Sequence, residues 1–304
     1  MSLLTTSETR NVIASQVAAA KDTLHIISAF CKESAMSFIE ANIRNKLSEK
    51  KLMVRFLLSD ILSGATDLSL YEFCKSNGWQ LYIRFDLHAK TYIFDKKRCI
   101  LGSANMTSNG IGLNAHGNYE LSSFTDINDS DLNKIKKLFD DSILMTDDLY
   151  SLMKAEYDTA NQSSTSVNPK ARWTNSIESL FKPTIDVLFT YDFPSTPHPD
   201  FNDIKSFEFL ELNHIPTVDE LKEAFRWSKP FLWLYSLIDN MPNKTSYFGA
   251  ITSELHNALI NDPKPYRKEV KELLANVINW IQDLETDAIK IDTPNYSQRL
   301  RILV

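Results

Sequence analysis

Apolar positions in the first half of the chain recur first at helical and then at strand spacing, and the alternation repeats several times. Residues 8–21 place Val12, Ala18 and Ala19 at helical intervals, and 24–30 follow as an unbroken apolar run of the kind buried on both faces of a sheet. A helix is predicted over 33–47, a strand over 52–58, and a second helix over 68–76 that stops at Gly78. Strands at 80–85 and 88–94 come next. The second of these pairs with 98–101 across a turn at Asp95, Lys96 and Lys97, and 118–124 and a helix at 130–141 close the series. Such alternation predicts a mainly parallel or mixed sheet with helices on both faces.

The second half is built differently. All eleven prolines lie at or after Pro169, six of the seven glycines at or before Gly117, and four of the five tryptophans at or after Trp173. The polar run 161–166 has nothing to bury and marks the seam, which gives domains of 1–160 and 161–304. Beyond it, Thr217 and Glu220 form a capping box after Pro216, followed by helices at 231–238 and 247–260. Asp262 and Pro263 open the longest helix, to about 285, with Val270, Leu273, Leu274, Val277, Ile278 and Ile281 on one face. The last residues, 299–304, alternate like an edge strand.

Composition narrows the setting. Three cysteines, an odd number without ligand spacing, offer neither a disulfide framework nor a zinc site. The first residues lack a basic segment followed by an apolar core, and no apolar run approaches the ~18 residues a bilayer span requires. A cytoplasmic protein without stable membrane insertion is expected. The net charge of −6 argues against a surface that attracts nucleic acid everywhere, and leaves room for a local basic groove. From residue 161 onward, 15 Lys and Arg face 19 Asp and Glu, which disfavours a DNA-coating domain but not a basic face of Arg267, Lys268, Lys271, Arg299 and Arg301. Trp227, Trp233, Tyr235 and Trp280 suit base stacking, although aromatics at helical spacing more often form core. His198, His214 and His256 read as ordinary histidines.

Candidate chemistry concentrates between His88 and Glu120. His88 and Lys90 leave one face of a strand, Asp95 follows, and Gly102, Ser103 and Asn105 arrive at the end of the next strand. A neutral imidazole is a nucleophile and a charged one a proton donor, its unperturbed pKa being about 6.5, so two such rings can attack phosphorus and protonate the leaving oxygen. Lys90, Ser103 and Asn105 then supply charge and hydrogen bonds to the non-bridging oxygens. Glu120 is the candidate carboxylate for holding the nucleophilic ring, and Asp95 reads as a brace for the turn.

These residues match the pattern H-x-K-x4-D-x6-G-S-x-N at all six fixed positions, an agreement expected by chance about once in 10⁸ placements at ordinary residue usage. The chain thereby resembles the phospholipase D superfamily, in its metal-independent nuclease branch. The resemblance implies an α/β fold, a phospholipase D-like αβα sandwich with a mixed sheet, here followed by a smaller, mainly helical C-terminal domain. It also implies a phosphohistidine intermediate, a second histidine as acid and then base, and no metal or other cofactor. A complete site of this type resembles two such motifs face to face. None of the other histidines has Lys two positions later, so a homodimer sharing one site is expected.

The segment 106–118, with Asn109, Gly110, Gly112 and Gly117, is expected to be a flexible loop at the site's mouth, either clamping substrate or merely connecting. The triplet Lys96, Lys97 and Arg98 is either a solvated hairpin tip or an outlying phosphate contact. The leading function is a DNA endonuclease of restriction or phage defence. The alternative is a phospholipase or phosphatidyltransferase, for which no basic amphipathic helix is evident, and a binding module without activity is disfavoured because every motif position is occupied.

Overall fold

A computed structural model describes residues 2–163, 171–181, 185 and 187–302. The chain forms two compact units, Met1–Phe181 and Lys182–Val304. The first runs β1 (Ser2–Thr5), α1 (Thr6–Ala19), β2 (Thr23–Ser28), α2 (Glu33–Asn42), β3 (Glu49–Val54), α3 (Leu58–Leu62), α4 (Leu70–Ser76) and β4 (Gln80–Ile83). It continues with β5 (Lys90–Phe94), β6 (Arg98–Gly102), β7 (Leu121–Asp126), α5 (Asp129–Asp140), β8 (Ile143–Leu144), α6 (Asp147–Ser163) and the single turn α7 (Asn175–Glu178).

The strands make one mixed sheet in the order β1-β7-β6-β5-β2-β3-β4-β8, parallel only at β2–β3 and β3–β4. Strand periodicity divides the side chains between two cores. Leu24, Ile26, Leu52, Val54, Tyr92, Phe94 and Ile100 face the larger core, built with α1, α2, α4 and α6. Ile27, Met53, Ile93 and Cys99 face a smaller one that α5 closes with Phe139 and, at its edge, Ile135 and Leu138. All six residues of β2 are buried, as expected of an apolar run with a helical layer on each side.

The α5 layer covers only half of its face. Its covered row is Ile27, Met53 and the half-buried Tyr82; the same row continues through Thr91 and Leu101 to Ser123 and Leu3. There Leu3 is 72% exposed, Leu101 43% and Leu121, two residues from Ser123, 46%.

Several elements differ from expectation. The edge strand β1 carries no signal of its own, because four residues with one buried side chain cannot establish a period. The helix predicted to 47 stops at Asn42, whose Nδ2 donates to the Phe38 carbonyl at 2.7 Å while Ile43 turns extended. β3 ends at Val54 because Phe56 takes φ +53°, a left-handed conformation costing a bulky residue about 1 kcal/mol, and the chain turns into α3.

Segment 106–118 is a folded turn series rather than a loose flap. Met106 and Ile111 are fully buried, the N–H groups of Ile111 and Asn118 donate to Thr107 and Asn109 at 3.0 and 3.1 Å, and Arg10 Nη1 donates to the Gly112 carbonyl at 2.7 Å. The seam expected at 161–166 begins inside α6, and its later residues lie outside the described ones. The first unit extends to Phe181 because Trp173 and Ile177 insert into its larger core.

The second unit contains α8 (Val218–Arg226), α9 (Lys229–Asp239), β9 (Thr245–Tyr247), α10 (Phe248–Ala258), α11 (Arg267–Asp283), β10 (Ile289–Asp292) and β11 (Arg299–Ile302). The Thr217 cap is present, its Oγ1 accepting from the Glu220 N–H at 3.2 Å. Trp280 is fully buried and Trp233 nearly so, with the Phe209 and Phe225 rings 5.1 and 5.6 Å from Trp280, so these two tryptophans are core rather than stacking platforms. β11 is the central strand between β10 and β9, a correction to the expected edge. On its other face Arg299 and Arg301 both donate to Asp292, at 2.8 and 2.7 Å, so one carboxylate offsets part of the charge of these two members of the expected basic face.

Candidate active site

β5 starts where the sheet's larger core runs out. Tyr92 and Phe94 are buried among the helices, so the same face one step earlier brings Lys90 to the rim. His88 lies just outside the strand and is exposed. The Ala29 N–H donates to the Ala89 carbonyl at 3.1 Å, which keeps that segment aligned with the end of β2. Lys90 Nζ donates to the His88 carbonyl at 2.7 Å, tying the ammonium to the segment that bears the imidazole. Burial lowers the Lys90 pKa, the charge of Arg55 lowers it further, and Glu120 opposes both.

The adjoining strand end is held by a close approach that only glycine permits. A Cβ on Gly102 would fall 2.4 Å from Ser122 Oγ and 2.5 Å from the Leu121 carbonyl across the β6–β7 pair. With the strands that close, the Ser103 N–H donates to the Leu121 carbonyl at 3.1 Å, and Ser103 Oγ accepts from the Leu121 N–H at 3.2 Å. The Ser103 hydroxyl proton goes to the Glu120 carboxylate.

Glu120 is buried, 7% exposed, and doubly fixed: its N–H donates to Thr6 Oγ1 at 2.7 Å and its other oxygen accepts from Asn118 Nδ2 at 3.0 Å. Among the described residues no hydrogen bond joins Glu120 to His88. The carboxylate expected to hold the imidazole instead orients Ser103, and the Ser103 hydroxyl is committed to it.

Asn105 has one possible orientation. Its Oδ1 accepts the Phe30 N–H at 3.2 Å, a backbone donor that an inverted amide could not satisfy. The two Nδ2 hydrogens therefore point away, with no partner among the described residues. Phe30 and Ser28 belong to this support, as Ser28 Oγ donates to the Phe30 carbonyl at 2.6 Å and accepts the Met106 N–H at 2.8 Å. Sequence reasoning missed both residues; the only available signal was their place at the carboxyl end of a buried parallel strand, where ligands collect in α/β sheets.

Asp95 sits at the opposite end of the hairpin, about 17 Å away by strand rise. Its carboxylate accepts the N–H groups of Lys21, Asp22 and Thr23 at 3.0, 2.8 and 3.0 Å. Burial would raise its pKa, but the bonds from Asp22, Thr23 and Lys21 hold it below the ordinary aspartate value. Lys96, Lys97 and Arg98 share that end, remote from His88; Lys96 pairs with Glu49 at 3.2 Å and Arg98 lies over Phe124 at 5.5 Å. His198 and His214 pair with Asp283 and Glu220 at 2.7 and 2.9 Å. No cluster of three or more His, Cys, Asp or Glu suited to a metal ion occurs among the described residues.

One exposed imidazole, one rim ammonium and one oriented amide thus lie at one end of a mixed sheet between helical layers, the framework of a phospholipase D-like domain. Residues 13–142 match the family model described as "Cardiolipin synthase, PLD-like domain", and the first unit accordingly has the phospholipase D-like fold. Solved structures similar to the chain include NucT from Helicobacter pylori, at 16% identity and a TM-score of 0.34, over 46% of this chain and 92% of that one. The phospholipase D family member Nuc from Salmonella typhimurium aligns at 16% identity and 0.37, over 47% and 97%. A phosphatidylserine synthase from Haemophilus influenzae aligns at 13% and 0.39, over 57% of this chain and 46% of its own. No curated protein matches the chain. No helix among the described residues is long and apolar enough to cross a membrane.

Proposed function

We propose that the chain is a metal-independent phosphodiesterase, a DNA endonuclease of restriction or phage defence, whose active centre is completed by a second copy. The observation that carries this reading is the convergence of His88, Lys90 and the outward Nδ2 of Asn105 at one sheet end. In the proposed reaction the His88 ring attacks phosphorus, a P–N bond forms, the P–O bond to the leaving strand breaks, and the partner's His88 gives that oxygen a proton. The partner's ring, now neutral, takes a proton from water, the hydroxide displaces the His88 nitrogen, and the P–N bond breaks. Lys90 and Asn105 bear the charge on the non-bridging oxygens, while Ser103 and Glu120 act together as a support and countercharge.

A shared centre is supported by the single motif and by the half-covered sheet face. Leu3, Leu101 and Leu121 lie at the same strand ends as Ser103 and are apolar surface that a second copy would cover. The alternative, a phospholipase or phosphatidyltransferase, is favoured by the matched family's description. One assay separates the two: purified protein in EDTA offered plasmid, single-stranded DNA, RNA and mixed phospholipid vesicles. Nucleic acid is expected to be cleaved, with the activity lost in His88→Ala. Turnover of lipid alone would install the alternative, and a requirement for Mg²⁺ would remove the mechanism.

A further inference from the structure

Next to this half-site, β3 ends in a cation that the signature does not include. Ser28 stands opposite Lys90 on one side and Val54 on the other, so the three form one row with Lys90 and Val54 about 10 Å apart at Cα. Arg55 follows Val54, and its N–H donates to the Ala29 carbonyl at 3.3 Å.

The turn at Phe56 fixes what Arg55 can do. The Phe56 carbonyl accepts from Trp173 Nε1 at 2.8 Å, and the redirected chain returns Asp60 to the guanidinium. Arg55 Nε and Nη2 each donate to Asp60 at 2.7 Å, in the forked geometry that arginine alone provides. The guanidinium also lies 4.7 Å above the Phe30 ring. One edge and one face are thereby occupied, while Nη1 has no partner among the described residues and about a fifth of the side chain is exposed. Phe30 thus serves both groups, its N–H orienting Asn105 and its ring seating Arg55.

We propose that Arg55 forms a second phosphate subsite beside the position held by Lys90 and Asn105, gripping the phosphate next to the scissile one on a nucleic-acid strand. The inference rests on the phosphodiesterase reading and narrows it, because a phospholipid with an isolated phosphodiester would gain little from this contact. Arg55 is next to Val54, whose Cα lies about 10 Å from that of Lys90, so one strand can span both groups.

The test compares wild type with Arg55→Lys and with the paired change Arg55→Gln, Asp60→Asn, which keeps a polar pair and strands no buried charge. Binding of a fluorescein-labelled 12-nucleotide oligothymidylate is followed across a salt series, and kcat/KM is measured in EDTA on that strand and on bis(p-nitrophenyl) phosphate, which has no neighbouring phosphate. The paired change is expected to weaken binding about tenfold, flatten the plot of log K against log salt by about 0.7, and depress kcat/KM on the strand at least about tenfold more than on the small diester. Arg55→Lys, which keeps the charge without the fork, should restore the salt slope and part of the affinity. Equal losses on both substrates, or an unchanged salt slope, would overturn the subsite. Failure of the phosphodiesterase reading shows separately, as a wild type that hydrolyses neither substrate, and the binding series still decides the Arg55 contact.

Discussion

The two ends of the β5–β6 hairpin each carry a carboxylate, and the two are used in opposite ways. At the turn, Asp95 accepts three backbone N–H groups and thereby pins the loop between α1 and β2. At the open end, Glu120 accepts from two side chains, Ser103 and Asn118, and leaves the backbone to others. The carboxylate inside the signature therefore braces the backbone, and the one outside it orients side chains, Ser103 foremost. A motif position is an address in the fold, and its role follows from what its atoms touch.

Substitutions at the two ends should separate these roles. The largest effect is expected from His88→Ala, with hydrolysis falling on the order of 10⁴-fold or more and the melting temperature unmoved, because the exposed ring supports nothing else. Lys90→Ala should lower kcat by about 10² to 10³, or about 3 to 4 kcal/mol of transition-state stabilisation, as measured by steady-state kinetics. Gly102→Ala attacks the framework at the chemical end: the β6–β7 pair must open to admit the Cβ, at a cost of about 2 to 3 kcal/mol in urea unfolding, with Ser103 displaced and activity reduced together.

Asp95→Ala, at the far end, should cost about 1 to 2 kcal/mol at pH 7 and leave kcat within about threefold. The folded pKa of Asp95 is depressed, so its contribution is complete above the unfolded aspartate value of about 3.9 and disappears as pH falls through the folded value. The stability gap between wild type and Asp95→Ala should accordingly close below about pH 4. A gap that persists there would assign Asp95 a role other than its ionised hydrogen bonds.

The sequence made the framework legible where the pattern was dense. The buried run of β2, the β5–β6 hairpin and the Thr217 cap each rest on several agreeing residues. Short or context-bound elements were not legible: β1 shows no period, and the centrality of β11 depends on β9 and β10, strands distant in sequence. In the site, the places of Lys90 and Ser103 at the strand ends followed from strand geometry, whereas His88 lies just before the strand expected to carry it, and the partner of Glu120 was not legible, since register and a half-buried Thr6 contact choose it. Arg55 was silent for a similar reason. Only the turn at Phe56 and the return of Asp60 distinguish it from any other surface cation.

The half-covered sheet face carries a consequence for mixtures. If Leu3, Leu101 and Leu121 seat a second copy, chains bearing His88→Ala would still pair with intact ones and spoil the centres they join. Adding such chains in excess should poison the wild-type enzyme, and thinning a pure preparation should lower turnover per molecule.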